Sequence, residues 1–260
     1  NIIIKGEGSM LYNRRIKMSK KLDKQGQLAL FEGPDAPDKV LNYVAHTPNP
    51  LCDEAEKLMF NLPNKEDVIE AYIRWHDLRV DAQVKMLELS CGLKLLKKYL
   101  ERHYLCLEAQ KSIFKLPNAR EILETFIETA NLYQEAEDLI FSLPCANEIL
   151  MKLFRCKSYL SDENEVKMIN MPNNWKVFKS YINKFSLSEL AEKELLSKKD
   201  SKRYLILYFE EGSTAYLSKE AEFMMLEHPD AKELVKVYLK HYNLYPEVRK
   251  KWDEMQSVTK

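Results

Sequence analysis

A short motif, most often Leu-Pro, recurs along the chain between segments whose apolar residues follow helical periodicity. Its copies are Leu62-Pro63, Leu89-Ser90, Leu116-Pro117, Leu143-Pro144, Met171-Pro172, Lys198-Lys199 and His228-Pro229. Successive copies lie 27, 27, 27, 28, 27 and 30 residues apart, and an earlier copy, Gly33-Pro34, precedes Leu62-Pro63 by 29 residues. This near-constant spacing predicts a tandem repeat of about eight units.

The residues between the motifs repeat as well. An aromatic residue follows each motif at a fixed distance, as Tyr43, Tyr72, Tyr99, Phe126, Tyr181, Tyr208 and Tyr238, with Leu153 as the exception. A small residue precedes the next motif, as Ala55, Ala82, Ala109, Ala136, Ala191 and Ala221, with Asn164 as the exception. Buried packing is the predicted role of the aromatic series, and a base-stacking ladder is the alternative.

Each unit is predicted to form two helices joined by a connection that contains a leucine. An Asp or Asn after most motifs, such as Asn64 and Asn118, is expected to cap the first helix with its side chain. The second helix begins with acids that suit a helix N-terminus, and its alanine is expected to let the two helices approach closely. One such pair cannot bury its own apolar face, so neighbouring pairs must stack. The predicted fold is all-α, a right-handed α-solenoid of about eight helix-pair repeats of ~27 residues.

This repeat resembles the α-solenoid class that includes HEAT, armadillo and TPR proteins, over roughly residues 33–256. The period is shorter than in those families, and the TPR signature with its early Trp is absent, so the resemblance is to the class rather than to one family. The resemblance implies a binding scaffold, usually for proteins and sometimes for nucleic acid.

The repeat divides the chain into a basic N-terminal arm and cap, residues 1–32, and a solenoid, residues 33–260. Residues 1–26 hold seven basic side chains, Lys20 and Lys21 among them, against two acidic ones. The arm is interpreted either as a contact to nucleic acid or an acidic surface, or as a solvated tail. Val248, Trp252 and Met255 form one apolar stripe, typical of a terminal capping helix.

Composition narrows the classes of function. Forty basic residues balance forty acidic ones, which argues against a general nucleic-acid coat but permits a local basic patch. Five irregularly spaced cysteines favour reduced thiols and therefore a cytoplasmic location. No apolar run reaches the ~18 residues that a membrane span needs, so no membrane partner is expected. The first residue is not Met, which leaves processing of the N-terminus open.

Candidate chemistry is sparse. His76 and His103 occupy equivalent places in adjacent units and could share a metal, but a role at the helix end is the simpler interpretation. Cys91 and Cys145 lie where a helix N-terminus can lower a thiol pKa. No nucleophile motif or phosphate loop is present in the sequence. We therefore predict no catalytic residue, no metal and no cofactor.

The predicted function is that of a non-enzymatic scaffold that binds a protein or peptide on one face of the solenoid. The alternative is a nucleic-acid-binding repeat protein that uses the basic arm, and an enzyme is a third hypothesis. Trp75 and the acids of a lengthened loop lie where the repeat is irregular, and they are candidate contacts to a partner. The full set of candidate interface residues is Trp75, His76, Arg102, His103, Glu210, Glu211, Lys20 and Lys21.

Overall fold

The computed structural model describes residues 21–156, 158–212 and 215–258, and every regular element within these ranges is helical. The all-α prediction is therefore confirmed. The α-helices are α1 (Lys24–Ala29), α2 (Ala36–His46), α3 (Asp53–Met59), α4 (Lys65–Ile73), α5 (Val80–Glu88), α6 (Gly92–Leu100), α7 (Leu107–Ile113), α8 (Ala119–Thr129), α9 (Gln134–Glu137), α10 (Ala146–Arg155), α11 (Asp162–Asn170), α12 (Trp175–Ile182), α13 (Glu189–Ser197), α14 (Lys202–Glu211), α15 (Lys219–Glu227), α16 (Ala231–Tyr238) and α17 (Pro246–Val258). A 3-10 helix, Asp138–Ser142, directly continues α9.

The recurring motif marks the start of every even-numbered helix. At every copy except Met171-Pro172 a backbone hydrogen bond closes a turn, as where the amide of Lys65 donates to the carbonyl of Leu62 (3.2 Å) and the amide of Ala119 to that of Leu116 (3.1 Å). The predicted side-chain caps are wrong here, because Asn64 and Asn118 precede their helices without capping them. Their backbones lie near φ −100° and ψ +28° instead of the extended conformation that a side-chain cap requires.

Side-chain caps are found instead on the odd-numbered helices. The hydroxyls of Ser161, Ser188 and Ser218 accept hydrogen bonds from the amides three residues further on, and all three serines have extended backbones. Asp23 caps α1 in the same manner. Helices α1, α11, α13 and α15 therefore begin with a side-chain cap, whereas α3, α5 and α9 begin without one.

The chain divides into two compact units, up to Ala109 and from Gln110 onward. In the first unit α2 packs on α4, α4 on α6, and α1 on α3. In the second unit α8, α10, α12, α14 and α16 pack in succession, and so do α11, α13, α15 and α17. Even-numbered helices thus contact even-numbered ones in both units, and odd contact odd from α11 to α17, while α5 packs on α6 and α15 also packs on α16.

The repeated residues supply the core of both units. The aromatic series from Tyr43 to Tyr238 is buried, as the core interpretation predicted, and so are Leu153 and the repeated alanines. Asn164, the exception among the alanines, is also fully buried. Seven of the connection leucines are buried, namely Leu51, Leu78, Leu105, Leu160, Leu187, Leu217 and Leu244.

The two ends of the repeat are covered by short-range packing. Val248 of α17 is fully buried, while Met255 on the same helix is 38% exposed, and α17 packs on α15.

Residues 1–20, which carry most of the basic arm, lie outside the described residues. Among the helices that the structure describes, none combines the length and the apolar character needed to cross a membrane.

Replacing a repeated alanine tests the helix packing. Ala55→Leu adds three heavy atoms at a fully buried position of α3, so we expect a loss of about 1–3 kcal/mol in the free energy of unfolding. Ala45→Leu, on the exposed side of α2, is the matched control and should change stability by less than about 0.5 kcal/mol. Urea unfolding followed by circular dichroism measures both, and equal stability of the two variants would contradict the packing described here.

Candidate functional site

Two of the predicted interface residues form one surface feature. Trp75 is 58% exposed, and the guanidinium carbon of Arg102 lies 5.4 Å from the centre of its ring. This distance permits a cation–π interaction. A second pair that sequence reasoning missed is Arg203 over Trp175, at 3.8 Å. Nothing in the repeat marks Arg203, since the two residues are brought together by the packing of α12 on α14.

The two histidines predicted as interface residues form hydrogen bonds to backbone carbonyls at helix ends. Nε2 of His76 donates to the carbonyl of Thr47 (3.2 Å), and Nε2 of His103 donates to that of Ile73 (2.7 Å). Because a carbonyl only accepts, the donating nitrogen carries hydrogen and has no lone pair for a metal. Burial lowers the pKa of His76, and its neighbour His103 lowers it further. Both side chains are thus accounted for by backbone contacts at the ends of even-numbered helices.

The acids predicted to lie in a lengthened loop belong to a helix. Glu210 and Glu211 form the last turn of α14, so the loop interpretation is wrong for these two residues. Nζ of Lys179 lies 2.6 Å from Glu211, and Nζ of Lys240 lies 3.6 Å from Glu210. Of the predicted basic pair, Lys21 is exposed and Lys20 lies outside the described residues. Glu210 and Glu211 belong to the second unit, whereas Trp75 and Lys21 belong to the first.

The cysteines are all free, and the reactive-thiol hypothesis fails at Cys91. Burial raises the pKa of the Cys91 thiol, and the nearby Glu66 carboxylate raises it further. No side-chain hydrogen bond caps the helix at Cys91 or at Cys145. Over the described ranges of the chain, no three side chains of His, Cys, Asp or Glu cluster as metal ligands.

A series of buried acceptors links consecutive odd-numbered helices. The side chain that follows each repeated alanine accepts the backbone N–H just before the next odd-numbered helix, as Glu192 does from Ser218 (3.1 Å) and Glu222 from Tyr245 (2.8 Å). Counterparts at Gln27, Glu56, Gln83, Gln110, Glu137 and Glu165 make the same contact. From the sequence these acids are predicted to act on the helix dipole, and the signal of their contact is that Gln replaces Glu at Gln27, Gln83 and Gln110.

The repeated tyrosines complete this network. The hydroxyl of Tyr208 donates to Glu192 (3.2 Å) and accepts the amide of Leu187 (3.4 Å). Tyr72 and Tyr238 make the corresponding pair of contacts. Burial raises the pKa of the Glu192 carboxyl to about 7, and the Ser218 amide and the Tyr208 hydroxyl only partly offset this. Hydrogen bonds from a fixed set of donors therefore offset part of the free energy that it costs to bury these carboxyls.

An open groove of about 610 Å³ crosses α8, α10 and α12 in the second unit. Its apolar lining residues are Met151, which is partly exposed, and Val177, which is buried. Its basic side chains are Arg120, Lys152, Arg155 and Lys176, and its acids are Glu124 and Glu148. The side-chain oxygen of Asn147, which also lines the groove, is buried without a hydrogen-bond partner in the described structure.

Only part of the groove's charge is neutralised within the chain. Arg120 pairs with Glu124 (2.8 Å), and Lys152 pairs with Glu128. Arg155 and Lys176 are exposed and make no ion pair with a described residue. The groove therefore combines apolar contact, unpaired positive charge and an unsatisfied acceptor.

Comparisons with protein-family models, with curated proteins and with solved structures each give no match to this chain.

Glu192→Gln tests the buried carboxyl through pH dependence. The folded-state pKa of about 7 exceeds the ordinary value, so the folded state binds more protons than the unfolded state between pH ~4.5 and ~7. Stability should therefore fall as pH rises through this window, by on the order of 1–3 kcal/mol. The glutamine variant should lose this part of the slope, because Gln83 and Gln110 show that an amide fits the position.

Urea unfolding at pH 5, 6, 7 and 8 measures the slope in the wild type, in Glu192→Gln and in the exposed control Glu220→Gln, which is not among the charges that shift Glu192. An unchanged slope in Glu192→Gln, or an equal change in the control, would show that this carboxyl is not the titrating group.

Proposed function

We propose that this protein is a non-enzymatic interaction scaffold, built as a right-handed α-solenoid, that binds a peptide segment of a protein partner. Within each unit, the packing of even helices on even and odd on odd supports the repeat architecture. The periodic bonds from the buried acceptors to the next odd-numbered helix support it as well.

The groove across α8, α10 and α12 is the observation that carries the proposal. Its volume of about 610 Å³ is large enough for several side chains of an extended peptide. Met151 offers contact to an apolar side chain, and the exposed Arg155 and Lys176 offer charge to acidic ones. The occupant is thus an acidic peptide that also carries an apolar residue.

Charge distribution favours this proposal over nucleic-acid binding. On α6, Lys94 and Lys98 are neutralised by Glu66 and Glu70 of α4, which removes much of the basic surface that the alternative requires. Arg102 is engaged by Trp75. The alternative function would then depend on the arm that contains Lys20 and Lys21, with a steep salt dependence as its signature.

A cytoplasmic location is part of the proposal, supported by the five free cysteines. The absence of an enzymatic role is also proposed, and the helix-end contacts of His76 and His103 support it because they engage the imidazoles structurally.

Binding of defined probes tests the proposal. Fluorescence anisotropy should detect binding of labelled 12-residue peptides rich in Glu and Leu, and not of peptides with Lys in place of Glu. Arg155→Ala with Lys176→Ala should weaken this binding roughly tenfold, since each exposed charge pair contributes up to about 1 kcal/mol. Lys232→Ala with Lys236→Ala, two exposed charges of α16, is the matched control and should bind as the wild type does.

A labelled single-stranded oligonucleotide distinguishes the alternative. If the oligonucleotide binds with steep salt dependence while the acidic peptides do not bind, the peptide scaffold proposal is wrong and the nucleic-acid function replaces it.

A further inference from the structure

One unit departs from the tyrosine and carboxylate network. Four carboxylates accept from a tyrosine hydroxyl sixteen residues further on, in the pairs Glu56 with Tyr72, Glu165 with Tyr181, Glu192 with Tyr208 and Glu222 with Tyr238. Sixteen residues after Glu137 the chain has Leu153, which has no hydroxyl. Glu137 is therefore a buried carboxylate without the phenol donor that its counterparts have.

Asn164 donates a hydrogen bond to Glu137 and so replaces part of what the tyrosine hydroxyl would provide. Its Nδ2 donates to Oε1 of Glu137 (2.7 Å), which explains why the repeated alanine is replaced at this position. The amide of Ser161 also reaches Oε1, but at 3.5 Å, the longest contact of the acceptor series. Both contacts fall on one carboxylate oxygen, and Oε2 has no hydrogen-bond partner among the described residues.

A cavity of about 350 Å³ lies where the tyrosine is missing. Glu137 and Leu153 both line it, together with Leu132, Ser158, Tyr159 and Ser161. Glu137 is 9% exposed, so its carboxylate meets the cavity rather than open solvent. Tyr159 is 73% exposed and lies at the mouth. The site is thus a small pocket with a buried acid inside it and an aromatic ring at its edge.

In the first unit the counterpart acid, Glu56, binds a cation in addition to its phenol donor Tyr72. There the guanidinium of Arg79 donates to Oε2 of Glu56, while the amide of Arg79 donates to Oε1 (2.9 Å). Position 161 is the counterpart of position 79, because each residue immediately precedes an odd-numbered helix and donates its amide to the acid of the preceding one. Serine at position 161 places no cation on Glu137.

We infer that the cavity beside Glu137 binds the guanidinium group of an arginine residue from a partner. The guanidinium takes the position over Oε2 that Arg79 occupies over Glu56, and its planar donors suit a carboxylate. Its flat face fits against the Tyr159 ring. This site is separate from the groove across α8, α10 and α12, and the inference does not depend on the acidic peptide proposed for that groove.

Titration with small guanidinium compounds tests the inference. The backbone amide signal of Ser161 in two-dimensional NMR reports on Glu137 directly. Acetyl-arginine-methylamide should shift this signal saturably below ~10 mM, the range in which fragment-sized ligands bind. The neutral isostere acetyl-citrulline-methylamide should not. Methylguanidinium, tested in parallel, separates recognition of the cation alone from recognition of an arginine residue with its backbone.

Two variants remove the site in different ways. Glu137→Gln removes the charge while keeping a side chain that the chain itself uses at Gln83 and Gln110. Leu153→Tyr fills the cavity and restores the repeated hydroxyl. Each should weaken binding of the arginine derivative at least about tenfold, as expected for the loss of a charge-assisted contact. Glu165→Gln is the matched control and should bind normally, because Tyr181 already occupies its carboxylate.

The inference is supported if the wild type and Glu165→Gln bind the arginine derivative and both Glu137→Gln and Leu153→Tyr lose this binding. This holds whether or not methylguanidinium binds. Absence of binding by the wild type, equal binding of the citrulline derivative, or binding unaffected by Glu137→Gln overturns it. Circular dichroism of each variant confirms that the helices are formed, and if Leu153→Tyr fails to fold, Glu137→Gln alone decides.

Discussion

The hydrogen bond made by the partly buried backbone amide just before each of α3, α5, α7, α9, α11, α13, α15 and α17 is the constraint around which both units are arranged. Leaving such an amide unpaired away from water costs about 1–3 kcal/mol. The chain satisfies it with a Glu or Gln side chain from the preceding odd-numbered helix, as in the bond from Ser188 to Glu165 (2.7 Å). The repeated alanine beside this acceptor is fully buried at Ala55, Ala191 and Ala221, which keeps neighbouring odd-numbered helices close enough for the bond to form.

Where the acceptor is an acid, the buried carboxylate needs further hydrogen-bond donors. Tyr208 meets it for Glu192, and its hydroxyl also closes the connection by accepting the amide of Leu187. Where the aromatic residue is Phe126, the acceptor is the neutral Gln110, which needs no hydroxyl. Where it is Leu153, the acid remains and Asn164 donates to it. At these two positions the loss of the tyrosine is thus accompanied by a change in the acceptor or in its donor, whereas the unit with Gln83 keeps Tyr99, whose hydroxyl donates to Asp77.

Surface features arise where this internal arrangement leaves side chains unpaired. Many exposed lysines are neutralised by acids on a neighbouring helix, as Lys94 is by Glu66 and Lys179 by Glu211. The groove with Arg155 and Lys176 and the cavity with Glu137 are places where charge has no such partner in the described structure. One is basic and the other acidic, so a partner that used both would need opposite charges at two separate points.

The sequence by itself determined the helical class, the buried aromatic and alanine positions and the exception at Leu153, because these depend on periodicity and local propensity. It did not determine how the helices begin, since the backbone turn after each motif removes the need for the predicted caps at Asn64 and Asn118. Only the tertiary structure separated buried Glu56 from its exposed neighbour Glu54, and only packing between helices brought Asn164 onto Glu137. Contacts between residues far apart in the chain decide such details, and one sequence read alone carries no distance between them.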